Sequence, residues 1–203
     1  MNRTFLIFLM IASAMLIAVI GTQKPTMQLD YTPWDAVISK SGSVKAFGVT
    51  LGETTIKESE TILGKTPETQ LVIITNNTTD RQYELVAIYK DLIISGVISE
   101  LRLTYQLEPN VLQSLYSTLV TKSIAQQSYS LSPELTTPYL SSPITRLTYI
   151  PSINYGEDII IQRFGTTEYV TSDTGKKWLY PEIGLEIQFH TDQTERFIYT
   201  NSK

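Results

Sequence analysis

Apolar residues open the chain as one block and then break into short periodic runs. Residues 5–20 form an unbroken apolar or small-residue stretch, with Arg3 before it and the next charge at Lys24. The uncharged segment has the roughly 20-residue length that crosses a ~30 Å hydrocarbon layer as a helix. Its apolar part, about 16 residues, suits an uncleaved anchor or a signal-peptide core. In the second case Val19 and Gly21 are the small residues before a cut after Gly21. Arg3 on the short side predicts the N-terminus inside and the body outside.

Residues 24–33 read as a linker. Two short runs, 34–40 and 43–47, joined by Ser41-Gly42, predict a small hairpin. Thr55 and Glu58 have capping-box spacing, which predicts a short helix that Gly64 ends. Strands follow at 70–75, 83–89 and 97–107. In the last, Leu101, Leu103, Tyr105 and Leu107 alternate with Glu100, Arg102, Thr104 and Gln106, so one face is apolar. Val111, Leu112, Leu115, Tyr116, Leu119 and Val120 recur at three- and four-residue spacing after Pro109, predicting a helix to about Ala125.

The second part repeats the order: a strand at 144–150, a helix with Asn154 and Glu157 as the cap pairing and Gly165 as its end, then strands at 168–171, 177–180, 184–190 and 195–200. These patterns predict an α+β protein of two tandem helix-plus-antiparallel-sheet units, with helices on one side of the sheets. The expected segments are an anchor or signal at 1–23, a linker at 24–33, a first unit at 34–125, a connector at 126–143 and a second unit at 144–203.

Composition narrows the chemistry. The chain has 203 residues, no cysteine and one histidine, with a net charge of -4. An acidic surface without a Lys/Arg run disfavours nucleic acid. Thiolate sites, disulfides and a lipidated cysteine are excluded, and zinc or iron would lack ligands. No cofactor is implied. His190, the one histidine, reads as an exposed strand-end residue. Glu157 and Asp158 could do paired-carboxylate work, but at a helix start they complement the dipole. Glu182 and Glu186 read as surface. Ser41 with Lys45, or Ser39 with Lys40, could form a Ser–Lys dyad, yet no strained nucleophile turn surrounds them. Gly48 and Gly52 are too sparse for a phosphate loop. Asn76-Asn77-Thr78 matches a sequon and reads as a turn. Trp178, Tyr180, Tyr169 and Tyr199 form either cross-strand core pairs or an aromatic binding surface.

Phe164-Gly165, the hairpin after it, Trp178-Leu179-Tyr180 and Gly184-Leu185-Glu186-Ile187 resemble the helix-then-meander unit of SmpA/OmlA-type outer-membrane assembly lipoproteins. Two such units in tandem, over 47–107 and 144–200, resemble the β-lactamase-inhibitor-protein fold. Pro33-Trp34, residues 47–52, Tyr149-Ile150-Pro151, Arg163-Phe164-Gly165 and Trp178-Leu179-Tyr180-Pro181 are similar to a group of uncharacterised, membrane-anchored proteobacterial envelope proteins. Unlike the assembly lipoproteins, this chain has no cysteine to lipidate. The resemblance implies an inner-membrane, single-pass location with the N-terminus cytoplasmic and the domain periplasmic. The alternative is a soluble periplasmic protein after cleavage. The expected function is non-enzymatic: a sheet face or edge strand presented to an envelope protein partner. Alternatives are a small-ligand or lipid pocket near Trp178 and Tyr180, or a hydrolase with an unrecognised site.

Overall fold

The computed structural model describes residues 28–77, 80–120, 127–172, 175–190 and 193–201. The anchor or signal expected at 1–23 lies outside them. Among the described residues no helix is long and apolar enough to cross a membrane. In chain order the elements are β1 (Gln28–Leu29), β2 (Val37–Ile38), β3 (Val44–Ala46), β4 (Val49–Thr50), α1 (Ile56–Leu63), β5 (Glu68–Asn77), β6 (Asp80–Ile94) and β7 (Val97–Tyr105). After them come α2 (Pro109–Val120), β8 (Ser128–Ser130), α3 (Pro133–Thr136), β9 (Ile144–Pro151), α4 (Glu157–Phe164), β10 (Tyr169–Ser172), β11 (Gly175–Tyr180), β12 (Leu185–His190) and β13 (Gln193–Thr200).

The expected pair of tandem α+β units is corrected by the strand pairing. Ten strands form one sheet in the order β10-β11-β12-β13-β9-β7-β6-β5-β8, with β1 added in parallel on β6, while β2-β3-β4 make a separate small sheet. The sheet dominates, and the four described helices are short. The join is β9, which pairs with β7 from Ser99↔Pro151 to Tyr105↔Ile144 and with β13 from Phe197↔Tyr149 to Thr200↔Arg146. Two separate units would leave β7 and β9 each with a bare ladder of N–H and C=O groups; pairing them removes both edges. Periodicity fixes which residues share a face but not which strand is the neighbour.

The local signals act as their chemistry dictates. Thr55 Oγ1 accepts the Glu58 N–H and the Glu58 carboxylate accepts the Thr55 N–H at 2.8 Å, closing the capping box of α1. Gly64 ends that helix in the left-handed region at φ 62°. The hairpin at Ser41-Gly42 forms between β2 and β3. The expected cap of α4 is different. Gly156 occupies the N-cap, and the Glu195 carboxylate of β13 takes the N–H groups of Tyr155 and Gly156 in place of Asn154.

All three longer helices meet the same sheet face. Ser59 of α1 reaches Tyr89, Tyr116 of α2 stacks near Tyr83, and Phe164 of α4 packs on Tyr180 and Phe197. Leu71, Leu85, Leu101, Leu103, Leu147 and Ile187 complete this core with no exposed surface. Each buried CH₂ group in such a layer contributes about 0.8 kcal/mol.

Tyrosines sew the layers together. A buried phenol needs a hydrogen-bond partner, because leaving one unmade costs roughly 1–3 kcal/mol. Tyr89 finds Ser59 Oγ at 2.8 Å, Tyr180 donates to Gly165 O at 3.0 Å, and Tyr199 donates to Pro33 O at 2.6 Å. Ser99 Oγ donates to the Tyr149 hydroxyl at 3.2 Å, and Tyr149 and Tyr155 share a bond at 2.9 Å. Burial pushes the Tyr89, Tyr149 and Tyr199 hydroxyls up from their ordinary pKa, so they stay neutral donors.

Candidate binding face

Since the helices cover one side, the other side of the ten-stranded sheet carries the remaining alternate residues. Registered rows cross it. One runs Glu186, Ile198, Thr148, Arg102, Ile88, Glu68 across β12, β13, β9, β7, β6 and β5. The next runs Thr200, Arg146, Thr104, Val86, Gln70, Ser130 from β13 to β8. Together with Val72, Ile74, Ile150 and Arg196, the members of these rows other than Glu68, Thr200 and Ser130 line an open groove of about 680 Å³. Its floor is β-branched: Val72, Ile74, Ile150 and Ile198 are half-buried, while Val86 and Ile88 are buried on a face with no helix over it. The stems of long charged neighbours can cover such floor residues.

Charge is arranged around that floor in pairs. Arg146 binds Glu84, Arg102 Nε meets Glu100 at 2.6 Å, Lys90 meets Glu68 at 2.7 Å and Lys177 meets Glu186 at 3.0 Å. Arg196 is the exception. Its guanidinium donates to Gln193 Oε1 at 2.6 Å and forms no ion pair among the described residues. Burial, and then the neighbouring Arg102 cation, hold its pKa below the ordinary arginine value, while Glu100 partly offsets them. The groove lining has four basic residues (Lys90, Arg102, Arg146, Arg196) against three acidic (Glu84, Glu100, Glu186). The whole chain is at -4, so the groove differs in sign from the protein that carries it.

No family model, curated protein or solved structure matches the chain.

The four aromatic candidates do not share a surface. Tyr199 and Tyr180 are buried with their hydroxyls bonded to the backbone, and Trp178 is 5% exposed, packed on Phe189. Tyr169, on the edge strand β10, is 64% exposed. Lys176 bridges the buried and exposed members, its ammonium 4.7 Å from the Trp178 ring and 5.0 Å from the Tyr169 ring.

Glu157 pairs with that same Lys176 at 2.8 Å, and Asp158 is exposed beside it. Ser41 bonds Ser39 at 2.6 Å and donates to Glu53, so its hydroxyl faces a serine and a carboxylate rather than Lys45. His190 is half-buried at the end of β12, with Nε2 unpartnered. No group of His, Cys, Asp and Glu among the described residues could hold a metal ion.

Sequence reading placed Arg102 on a solvent face but missed Arg146, Thr148, Ile150, Arg196 and Ile198 as its neighbours. A signal existed. Three of the chain's six arginines stand at the polar phase of apolar-alternating strands, where a purely solvated face has no need of Arg over Lys.

Proposed function

We propose that this chain is a non-enzymatic envelope protein whose open sheet face docks a protein partner. The observation that carries this is the groove itself: a β-branched floor crossing strands from β5 to β13, bordered by fixed ion pairs and left uncovered by every described helix. Apolar surface of that kind gains by being covered, and a pattern of paired charges around it gives a partner its register. The apolar stretch at 5–20 and the resemblance to membrane-anchored envelope proteins support a periplasmic domain tethered to the inner membrane, with removal of the leader as the alternative. Crosslinking in intact cells followed by purification of the membrane-bound chain tests the docking. A specific protein adduct on the sheet face is expected, and recovery of the chain without any adduct would overturn the reading. N-terminal sequencing of the mature protein tests the tether.

A second mode is favoured by β10. Glu168 O accepts the Leu179 N–H from β11, so along this antiparallel strand Glu168 and Val170 point their backbone groups inward. Those of Tyr169 and Thr171 point to the free edge, beside the exposed Tyr169 and Val170 side chains. An uncharged edge of this kind can add a partner strand. Hydrogen exchange separates the modes: new protection of the Tyr169 and Thr171 amides marks strand addition, whereas docking on the face leaves those two amides exchanging as in the free chain.

A further inference from the structure

The centre of the groove is β9, where Thr148 and Ile150 lie between Arg102 on β7 and Arg196 on β13. Arg102 stands in the Thr148 row. Arg196 comes two residues before Ile198 on β13, hence one step along on the same face. Arg102 and Arg196 thus flank β9 from its two neighbouring strands, one row apart on the same face, and the Arg102 charge helps lower the Arg196 pKa. Glu100 bonds Arg102 directly and acts on Arg196 only through its charge, and the hydrogen bond of Arg196 goes to a neutral amide, Gln193. The Thr148 hydroxyl between them has no protein partner among the described residues. Every other cation paired on this face already has its anion.

The geometry points to an acidic side chain of the docked partner as the missing member: a carboxylate of an extended protein segment, seated over Thr148 between Arg102 and Arg196. This rests on the docking reading above and adds the partner's chemistry to it. A carboxylate there would relieve the repulsion of two poorly hydrated cations, and Arg196 can offer it a two-pronged contact that a lysine cannot. The β-branched residues on either side, Ile198 with Ile150 and Ile88 with Val86, suit an extended segment with apolar neighbours to that carboxylate. A free inorganic anion would use the two arginines alone and leave this floor bare. The sign of the groove against an acidic chain selects an acidic segment in the same way.

A photoreactive amino acid placed at Thr148 of the full chain, in its own cells, tests the assignment, with the exposed Lys57 of α1 as the comparison position. Adducts from position 148 are expected to map next to an Asp or Glu of the partner. Arg196→Glu should lower their yield by about tenfold, and changing that partner residue to Lys should restore it. Arg196→Gln, which leaves the strand uncharged at that point, should lower the yield to a smaller degree and guards against misfolding of the charge reversal. Adducts at 148 that persist unchanged in both variants, or that map far from any acid, overturn the carboxylate while leaving face docking in place. Silence at 148 with protein adducts at Lys57 or at the β10 edge overturns both. A lipid or nucleic-acid adduct at 148 in place of a protein also overturns both.

Discussion

Glu195 accepts the backbone N–H of Gly156 at 3.1 Å, joining the last strand of the sheet to the start of α4 across 39 residues of sequence. The same carboxylate takes the Tyr155 N–H at 3.2 Å and is itself 5% exposed. A buried carboxylate without a cation is tolerated only when its oxygens are satisfied, and here helix-start N–H groups do that. Glu195→Ala should therefore cost about 2–3 kcal/mol, because two donors lose their acceptor in a closed site. Glu195→Gln, which keeps one acceptor oxygen, should cost less. Urea unfolding of both variants measures the difference, and equal losses would show that the carboxylate acts only by filling space.

Tyr199 performs the equivalent task for the other end of the chain, donating to Pro33 O from a fully buried position. Tyr199→Phe should lose about 1–2 kcal/mol, mostly from the orphaned carbonyl. It should also change the alkaline behaviour. Burial, and then Tyr149, Tyr155 and Asp35, hold the Tyr199 pKa well above its ordinary value. The folded state therefore keeps a proton that the unfolded chain releases above about pH 10. That stability is complete below pH 10 and declines as pH rises further. Stability measured between pH 9 and 11 should fall less steeply in the Phe variant, and parallel curves would count against this account.

Much of the local structure was legible because it is set by residues close in sequence. Thr55 with Glu58, Gly64, Ser41-Gly42 and the alternation from Leu101 to Tyr105 each act within a turn or a strand. What was not legible depends on partners far apart. Glu195 replaced Asn154 at α4 because a strand distant in sequence passes beside that helix end. The single sheet arises because β9 meets β7, a pairing that alternation permits but does not name. The groove was hidden for the same reason: Arg102, Arg146 and Arg196 are 44 and 50 residues apart and become neighbours only once the strands are ordered. Trp178, Tyr180 and Tyr199 carry the composition of a binding surface, yet they stand in the apolar phase of their strands, which takes them into the core.

Two glycines with similar backbone angles should respond very differently to substitution. Gly184 has φ 61°, and a Cβ there would run into the Thr200 carbonyl oxygen and Val44 Cγ2. Gly42 has φ 85° with nothing near its missing Cβ. Gly42→Ala should cost about 1–2 kcal/mol, the left-handed penalty alone. Gly184→Ala adds a clash with backbone to that penalty and should cost more than about 3 kcal/mol. Thermal unfolding of the two variants side by side checks the ordering; a milder Gly184→Ala would mean that β13 can slide away from it.

The capping box of α1 predicts an acid-side signature. The Thr55 N–H and hydroxyl, in that order, hold the Glu58 carboxyl below its usual pKa. The folded state therefore releases this proton more readily than the unfolded chain does. The contribution is complete above about pH 4.3, the unfolded value, and is lost as pH falls through the lower folded value. Between about pH 5 and 3 the wild type should lose stability faster than Glu58→Gln, with the two converging at the acid end. Urea midpoints across that range read the slope; identical slopes would remove Glu58 from the account.

Surface that exists for a partner should be separable from surface that holds the fold. Ile150 and Ile198 face the groove and are half-buried, while their sequence neighbours Tyr149 and Tyr199 are fully buried on the other side of the same strands. Thr keeps the β-branch that a strand prefers, so Ile150→Thr and Ile198→Thr should each change stability by less than about 1 kcal/mol. Their effect on docking should be larger, since a fully covered isoleucine contributes about 1.5–3 kcal/mol to whatever covers it. The double variant should fold with a near-native unfolding midpoint and lose most of its crosslinked partner in cells. Tyr149→Phe, altered one residue away but on the core side, should do the reverse: a lower midpoint from the lost Ser99 and Tyr155 bonds, with crosslinking retained. If instead the two Thr substitutions cost stability and spare the adduct, the open face belongs to the core of a larger fold and not to a partner.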